Sequence, residues 1–139
     1  MIKILTSHDN WQRAASCYIR LSVFVLERGI TLQDEFDDAD IDGTTYVVAY
    51  DDQLPVATGR YIQDSDSVAR FTRIATLKSH RGQHLGRQIK TLAYQNHITK
   101  ILIHAELTAK SFYEELGYTA SSDIYDEDGV PCQTLSKQL

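Results

Sequence analysis

Between Thr45 and Leu77, β-branched and aromatic residues gather into stretches divided only by short polar breaks. Thr45–Tyr50, Pro55–Gln63 and Val68–Leu77 therefore predict strands, with turns at Asp51-Asp52-Gln53 and Asp64-Ser65-Asp66-Ser67. Loops this short favour antiparallel neighbours, so the middle of the chain predicts an antiparallel meander. Around it the period changes. Ile2–Thr6 reads as a short first strand. Trp11, Ala14, Tyr18, Leu21 and Val25 then recur at steps of three and four, the apolar spacing of an amphipathic helix. That helix should start near the capping residues Ser7 to Asn10 and stop at Gly29, with a loop running on to about Gly43.

Beyond the meander, a helix is predicted on Leu85, Ile89, Leu92 and Ala93, followed by a compact apolar strand, Ile101–Ala105. A second short helix carries Ala109, Phe112, Tyr113 and Leu116 on one face, and Gly117 suits its C-terminal cap. Tyr118–Tyr125 and Cys132–Lys137 read as strands, joined through a Glu127-Asp128-Gly129 hairpin turn. The order β-α-β-β-β-α-β-α-β-β implies an α/β fold, a mixed sheet with helices on its faces. At 139 residues with 42% hydrophobic content, residues 1–139 are expected to form a single domain with an ordinary core.

Charge removes several function classes. Lys and Arg number 14 against 19 Asp and Glu, a net charge of −5. An acidic chain lacks the basic footprint of a nucleic-acid binder and has no attraction for an anionic membrane. No apolar run approaches the length of a membrane span or of a signal-peptide core. Cys17 and Cys132 stand far apart, without metal-binding spacing, and predict reduced thiols in a cytoplasmic protein. The histidines are scattered too, so no metal is expected.

Two segments carry chemistry. Asp34 to Asp42 is an acidic run containing Glu35, Asp37 and Asp40. Its Asp38-Ala-Asp40-Ile-Asp42-Gly43 matches half of a calcium loop, but Ala49 stands where the bidentate Glu belongs. The run reads either as a solvated loop or as a wall that attracts a cationic amine. Arg81-Gly82-Gln83-His84-Leu85-Gly86-Arg87 lies between a predicted strand and a predicted helix. Backbone N–H groups and the helix dipole there could hold a pyrophosphate, with Arg81 and Arg87 adding charged donors. The spacing is neither that of a P-loop nor of a dinucleotide fingerprint.

Arg73 to Gly86 resembles the acetyl-CoA-binding motif of GNAT-superfamily N-acetyltransferases, R/Q-x-x-G-x-G/A following a strand. Some thirty residues on, Glu106-Leu-Thr-Ala109-Lys-Ser-Phe112-Tyr113-Glu-Glu-Leu-Gly117-Tyr118 resembles the family's second signature, N-x-x-A-x-x-F-Y-x-x-x-G-F/Y. Arg20 to Ile30, Glu35 to Asp40 and Glu127 to Pro131 are similar to a small bacterial subgroup, so the likeness covers almost the whole chain. It implies the GNAT acyl-CoA N-acyltransferase fold, a central and mostly antiparallel sheet flanked by helices. It also implies acetyl transfer from acetyl-CoA, as co-substrate, to the primary amine of a small molecule or peptide by direct attack. Ile74, Ala75 and Thr76 are then expected to meet the pantetheine and the acetyl carbonyl. Arg81, Gly82, Gln83, His84, Leu85, Gly86 and Arg87, with Phe112, complete the expected cofactor site. Tyr113 is the expected general acid. Glu106 is the first candidate for the base, with Glu35 and Glu27 as further candidates that could face the acceptor amine. Similar enzymes often form homodimers. His84 and Glu106 stand where the family has Gly and Asn or Gln. That departure motivates an alternative, a non-catalytic acyl-CoA-binding sensor or interaction module on the same fold.

Overall fold

The computed structural model of the chain describes residues 1–81, 91–92 and 96–139. They divide into two compact units, residues 1–61 with 73–81, and residues 62–72 with 91–92 and 96–139.

In the first unit, β1 (Ile2–Ser7) pairs antiparallel with β2 (Thr45–Asp51), and β2 with β3 (Leu54–Gln63). The strand order there is β1-β2-β3 followed by β4 (Val68–Thr76). α1 (Asn10–Arg20) packs on β2 and continues as a π-helical segment, Leu21–Glu27, in which the Arg28 N–H reaches back five residues to the Val23 carbonyl. Gly29, at φ 80°, ends it in the left-handed conformation that suits glycine. Ile19, Val23, Tyr46, Val48 and Ala75 form a buried cluster, with Ala15, Phe24, Tyr50 and Leu77 packed against it. A fully buried side chain of this size contributes roughly 1.5–3 kcal/mol relative to leaving it in water.

The helix lies where the periodicity predicts but turns its other face inward. Gln12, Ser16, Ile19 and Arg20 are buried, whereas Trp11 and Tyr18 are 56% and 45% exposed. The buried polar groups are matched. Gln12 Nε2 donates to the carbonyls of Leu5 (2.8 Å) and Tyr46 (3.1 Å), and its Oε1 accepts from the Tyr50 hydroxyl (2.7 Å). The Ser16 and Thr58 hydroxyls lie 2.7 Å apart. A buried polar group costs little once it is hydrogen-bonded, so this helix can bury a polar stripe. The expected loop before Gly43 holds one short helix, α2 (Leu32–Glu35), capped by Thr31, whose Oγ1 accepts from the Asp34 N–H at 3.2 Å.

In the second unit, Val68–Phe71 of β4 pair in parallel with Lys100–Ile103 of β5 (Lys100–Glu106), which makes the sheet mixed. β5 pairs antiparallel with β8 (Val130–Gln138), and β8 carries both β6 (Thr119–Ala120) and β7 (Tyr125–Glu127). The single strand expected over Tyr118–Tyr125 is thus broken. Between β6 and β7, Ser122 uses side-chain and backbone oxygens as acceptors, from the Thr134 N–H at 3.0 Å and from Gln133 Nε2 at 2.8 Å. The predicted hairpin forms, with Asp128 (φ 54°) and Gly129 (φ 84°) both left-handed as a two-residue turn requires. A 3-10 turn, Leu107–Ala109, leads from β5 into α3 (Lys110–Glu115), and Gly117 takes φ 95° after it. The helix expected from Leu85 falls outside the described residues except for Thr91 and Leu92, which are helical.

Candidate active site

The acidic segment folds onto buried arginines. Arg20, fully buried, donates from Nε to Glu35 Oε2 (2.8 Å) and from Nη2 to the Glu35 carbonyl (2.9 Å). Its Nη1 and Nη2 form a fork on the two carboxylate oxygens of Asp40, at 2.6 and 2.9 Å. The Phe36 ring covers the guanidinium, 4.8 Å from Cζ. Arg60 forms a second fork on Asp37, at 2.7 and 3.1 Å. Arg73 completes the cluster, with Nη2 3.1 Å from Asp37 Oδ2 and Nε 3.4 Å from Glu35 Oε2. Forked arginine–carboxylate pairs are among the strongest hydrogen-bonded contacts in proteins.

The carboxylates respond differently because their partners differ. Burial alone would raise Asp40, but the Arg20 fork, helped by a hydrogen bond from the Tyr46 hydroxyl (2.8 Å), holds it well below the usual carboxylate range. Burial also opposes ionisation of Asp37, and Arg60 outweighs it, so Asp37 is lowered too. Glu35 accepts one Arg20 side-chain hydrogen bond rather than a fork, and burial pushes it up. Glu35, expected as a wall facing an amine, is 2% exposed and bonded to Arg20. Asp34, Asp38 and Asp42 are the members of the run that lie in solvent, along with half-open Asp37.

Arg73 has a second peculiarity. Its φ of 54° is left-handed, inside a strand and without glycine's freedom, at a cost of about 1–3 kcal/mol. It lies two residues beyond the last β4 residue paired with β5, Phe71. Ile74, Ala75 and Thr76, the expected thioester-binding segment, follow it directly, with Ala75 buried and its neighbours half-buried.

Arg81, the first residue of the expected phosphate loop, is partly exposed. It hydrogen-bonds the Glu27 carboxylate through Nη2, and its Nε lies 3.4 Å from the Thr76 carbonyl. The Arg81 hydrogen bond lowers the Glu27 carboxyl. The structure thus joins two residues that the sequence assigned to opposite substrates. Gly82, Gln83, His84, Leu85, Gly86 and Arg87 lie outside the described residues.

In the second unit, Tyr113 is buried on α3 between two aromatic neighbours. Phe112 and Tyr118 meet it edge-on, with ring centroids 5.2 and 5.8 Å away. Burial pushes the Tyr113 phenol up to about 12, so it is protonated at neutral pH. Glu106 is the last residue of β5, half-buried and opposite Cys132 in the β5–β8 ladder. Cys17 and Cys132 are free thiols. Among the described residues, no group of three or more His, Cys, Asp or Glu could hold a metal ion, and no helix is long and apolar enough to cross a membrane.

The sequence reading missed Arg20, Arg60 and Arg73 as partners of the acidic run. Their signal was present but weak: arginines within otherwise apolar helix and strand patterns, on either side of a surplus of carboxylates.

Residues 28–139 match the family model described as an acetyltransferase (GNAT) domain. An uncharacterized acetyltransferase of Streptococcus pyogenes is 38% identical, over 78% of this chain and 77% of its own length. The crystal structure of a Lactobacillus plantarum protein assigned as an N-acetyltransferase is 43% identical, with a TM-score of 0.90 over 99% of this chain and 98% of that one. An acyl-CoA N-acyltransferase from Pseudomonas aeruginosa, at 22% identity and a TM-score of 0.86 over 97% and 99% of the two chains, shares the fold. With its mixed sheet, flanking helices and both signature segments inside the matched region, the chain belongs to the GNAT acetyltransferase family and is an acyltransferase.

Proposed function

We propose that this enzyme is an N-acetyltransferase that moves the acetyl group of acetyl-CoA onto a primary amine by direct attack, residues 1–139 acting as one catalytic domain. The observation that carries the reading is the family match over residues 28–139, which takes in both motif segments. The residues present fit the co-substrate. The Arg81 side chain is 43% exposed, where an anionic phosphate can compete for it with Glu27. Gly82, Gln83, His84, Leu85, Gly86 and Arg87 complete the proposed phosphate site, and Phe112 lines the proposed cofactor side of α3.

Acetyl-CoA supplies a thioester carbonyl and a thiol leaving group. The backbone of Ile74, Ala75 and Thr76 offers hydrogen-bonding groups for the pantetheine and for the carbonyl oxygen as it gains charge. Glu106 takes a proton from the amine, which is otherwise an ammonium without a lone pair. Tyr113 gives its phenolic proton to the departing sulfur. Burial keeps the phenol protonated at neutral pH, so the proton is in place when the sulfur departs. As the C–N bond forms and the C–S bond breaks, the nitrogen gives its second proton to Tyr113 and Glu106 releases the first to solvent, so one amide, one free thiol and one released proton balance the reaction. Glu27 stays in the reading as a residue at the acceptor side that also orients Arg81, whereas Glu35 is bonded within the arginine cluster.

A thiol-release assay with acetyl-CoA across an amine library tests the proposal, run beside thermal unfolding with and without cofactor. Binding should raise the melting temperature by linkage. Absence of both a shift at millimolar acetyl-CoA and thiol release with any amine would overturn it.

A further inference from the structure

The acidic segment looks in the sequence like a surface for a cation, yet Glu35, Asp37 and Asp40 are turned onto arginines of this same chain. Arg73 is the arginine that meets the proposed chemistry. Its side chain is 15% exposed and held by Asp37 Oδ2 at 3.1 Å, by the Asp34 carbonyl at 3.3 Å and by Glu35 Oε2 at 3.4 Å. Those carboxylates are themselves fixed, Asp37 by the Arg60 fork and Glu35 by Arg20. The backbone of the same residue is left-handed, at φ 54°. A bulky residue persists in that conformation only where its surroundings over-determine it. Here the anchored guanidinium supplies that constraint. If Arg73 relaxed to an extended conformation, the N–H and C=O groups of the next residues would turn, because one reversed φ reorients the chain after it.

We propose that Arg73 is a positioning residue: clamped by Asp37 and Glu35, its left-handed backbone aims the Ile74–Thr76 peptide groups at the thioester. The inference rests on the proposed acetyl transfer. It gives the acidic run a task inside the protein in place of a direct contact with the amine.

Arg73→Gln, Arg73→Lys and Asp37→Asn test it, with amide hydrogen exchange at Ile74–Thr76 in the cofactor-free protein and steady-state kinetics as readouts. Arg73→Gln should speed exchange at those amides at least 10-fold while leaving Val47 and Val48 in β2 unchanged. It should lower kcat 10- to 100-fold with the KM for acetyl-CoA within 3-fold, since the phosphate contacts lie elsewhere. Arg73→Lys should recover part of the kcat, because an ammonium can still reach Asp37. Should Arg73→Gln fail to fold, Asp37→Asn decides, at a residue 38% exposed, with the same pattern expected at smaller size. Wild-type exchange and kcat in a variant that only melts earlier would overturn the inference and leave Arg73 a purely structural residue. A wild-type protein that neither binds acetyl-CoA nor releases thiol would overturn the proposed function and the aiming role with it. The exchange data on the cofactor-free variants separate these two failures.

Discussion

Two buried polar regions of this enzyme answer to burial in opposite ways. Around Arg20, charged groups are taken out of water together with their counter-charges. Asp40 and Asp37 consequently ionise more readily than in solution, although burial works against them. Around Tyr113, the neighbours are Phe112 and Tyr118, rings without formal charge, and burial acts alone to push the phenol up. A forked arginine reverses the sign of the shift, whereas the single Arg20 side-chain bond to Glu35 leaves burial in control. The first region suits a fixed frame, since its charges are committed to one another. The second keeps its phenol protonated at neutral pH, the state that the proposed acid needs.

The most severe break in this contrast is to strip the frame of its cation. Arg20→Ala leaves Glu35 and Asp40 buried without the cation they share and should destabilise the fold by about 3–5 kcal/mol. Chemical denaturation measures this; a midpoint close to wild type would mean that the carboxylates had found other partners. Next in size, Tyr113→Phe keeps the ring and its edge-on contacts but removes the proton. Its kcat should fall on the order of 100-fold or more, with acetyl-CoA affinity nearly unchanged. Equal turnover would remove Tyr113 as the acid, and a parallel loss of affinity would make its role one of packing.

The contrast also predicts opposite pH limits. Asp40 and Asp37 have lowered folded pKa values, so their contribution is present above the unfolded value near 4 and is lost as pH falls through the folded one. Urea titrations from pH 5 down to pH 2 should show a loss on the order of 2 kcal/mol from Asp40, reduced in Asp40→Asn. Glu35, raised by burial, acts in the window above this one: its contribution is complete below the unfolded value of about 4.3 and is lost as pH rises through the folded one. Tyr113 works at the other end. Its contribution is complete below about pH 10, the unfolded value, and declines as pH rises towards the folded value of about 12. A flat acid limb would show that the carboxylates are not held as described. The smallest effect is expected from Thr31→Ala, which removes the cap of α2 beside the acidic run and should cost about 0.5–1 kcal/mol in thermal unfolding.

Much of the fold was legible because its strands are dense in β-branched residues. β2 to β5 stand within a residue or two of their expected places. The first helix was legible in position but not in orientation. Periodicity weighs only apolarity, whereas Gln12, Ser16 and Arg20 are buried by partners on β1, β2, β3 and the acidic run. α2 is too short to leave a periodic signal, and the break between β6 and β7 depends on Ser122 acting in place of the ladder. Tyr113 could be found because its motif is local. The clamp on Arg73 could not, since it joins residues dozens of positions apart and arginine carries no local preference for a left-handed backbone.

The outward face of α1 has a practical corollary. Trp11 is the chain's one tryptophan, and more than half of its surface already meets water in the native protein. Its emission should begin red-shifted and change little as the protein unfolds, making intrinsic indole fluorescence a poor reporter of denaturation. The same placement makes it a good reporter of anything that covers that helix. A blue shift or protection from an aqueous quencher at constant fold would register contact there directly, without a label.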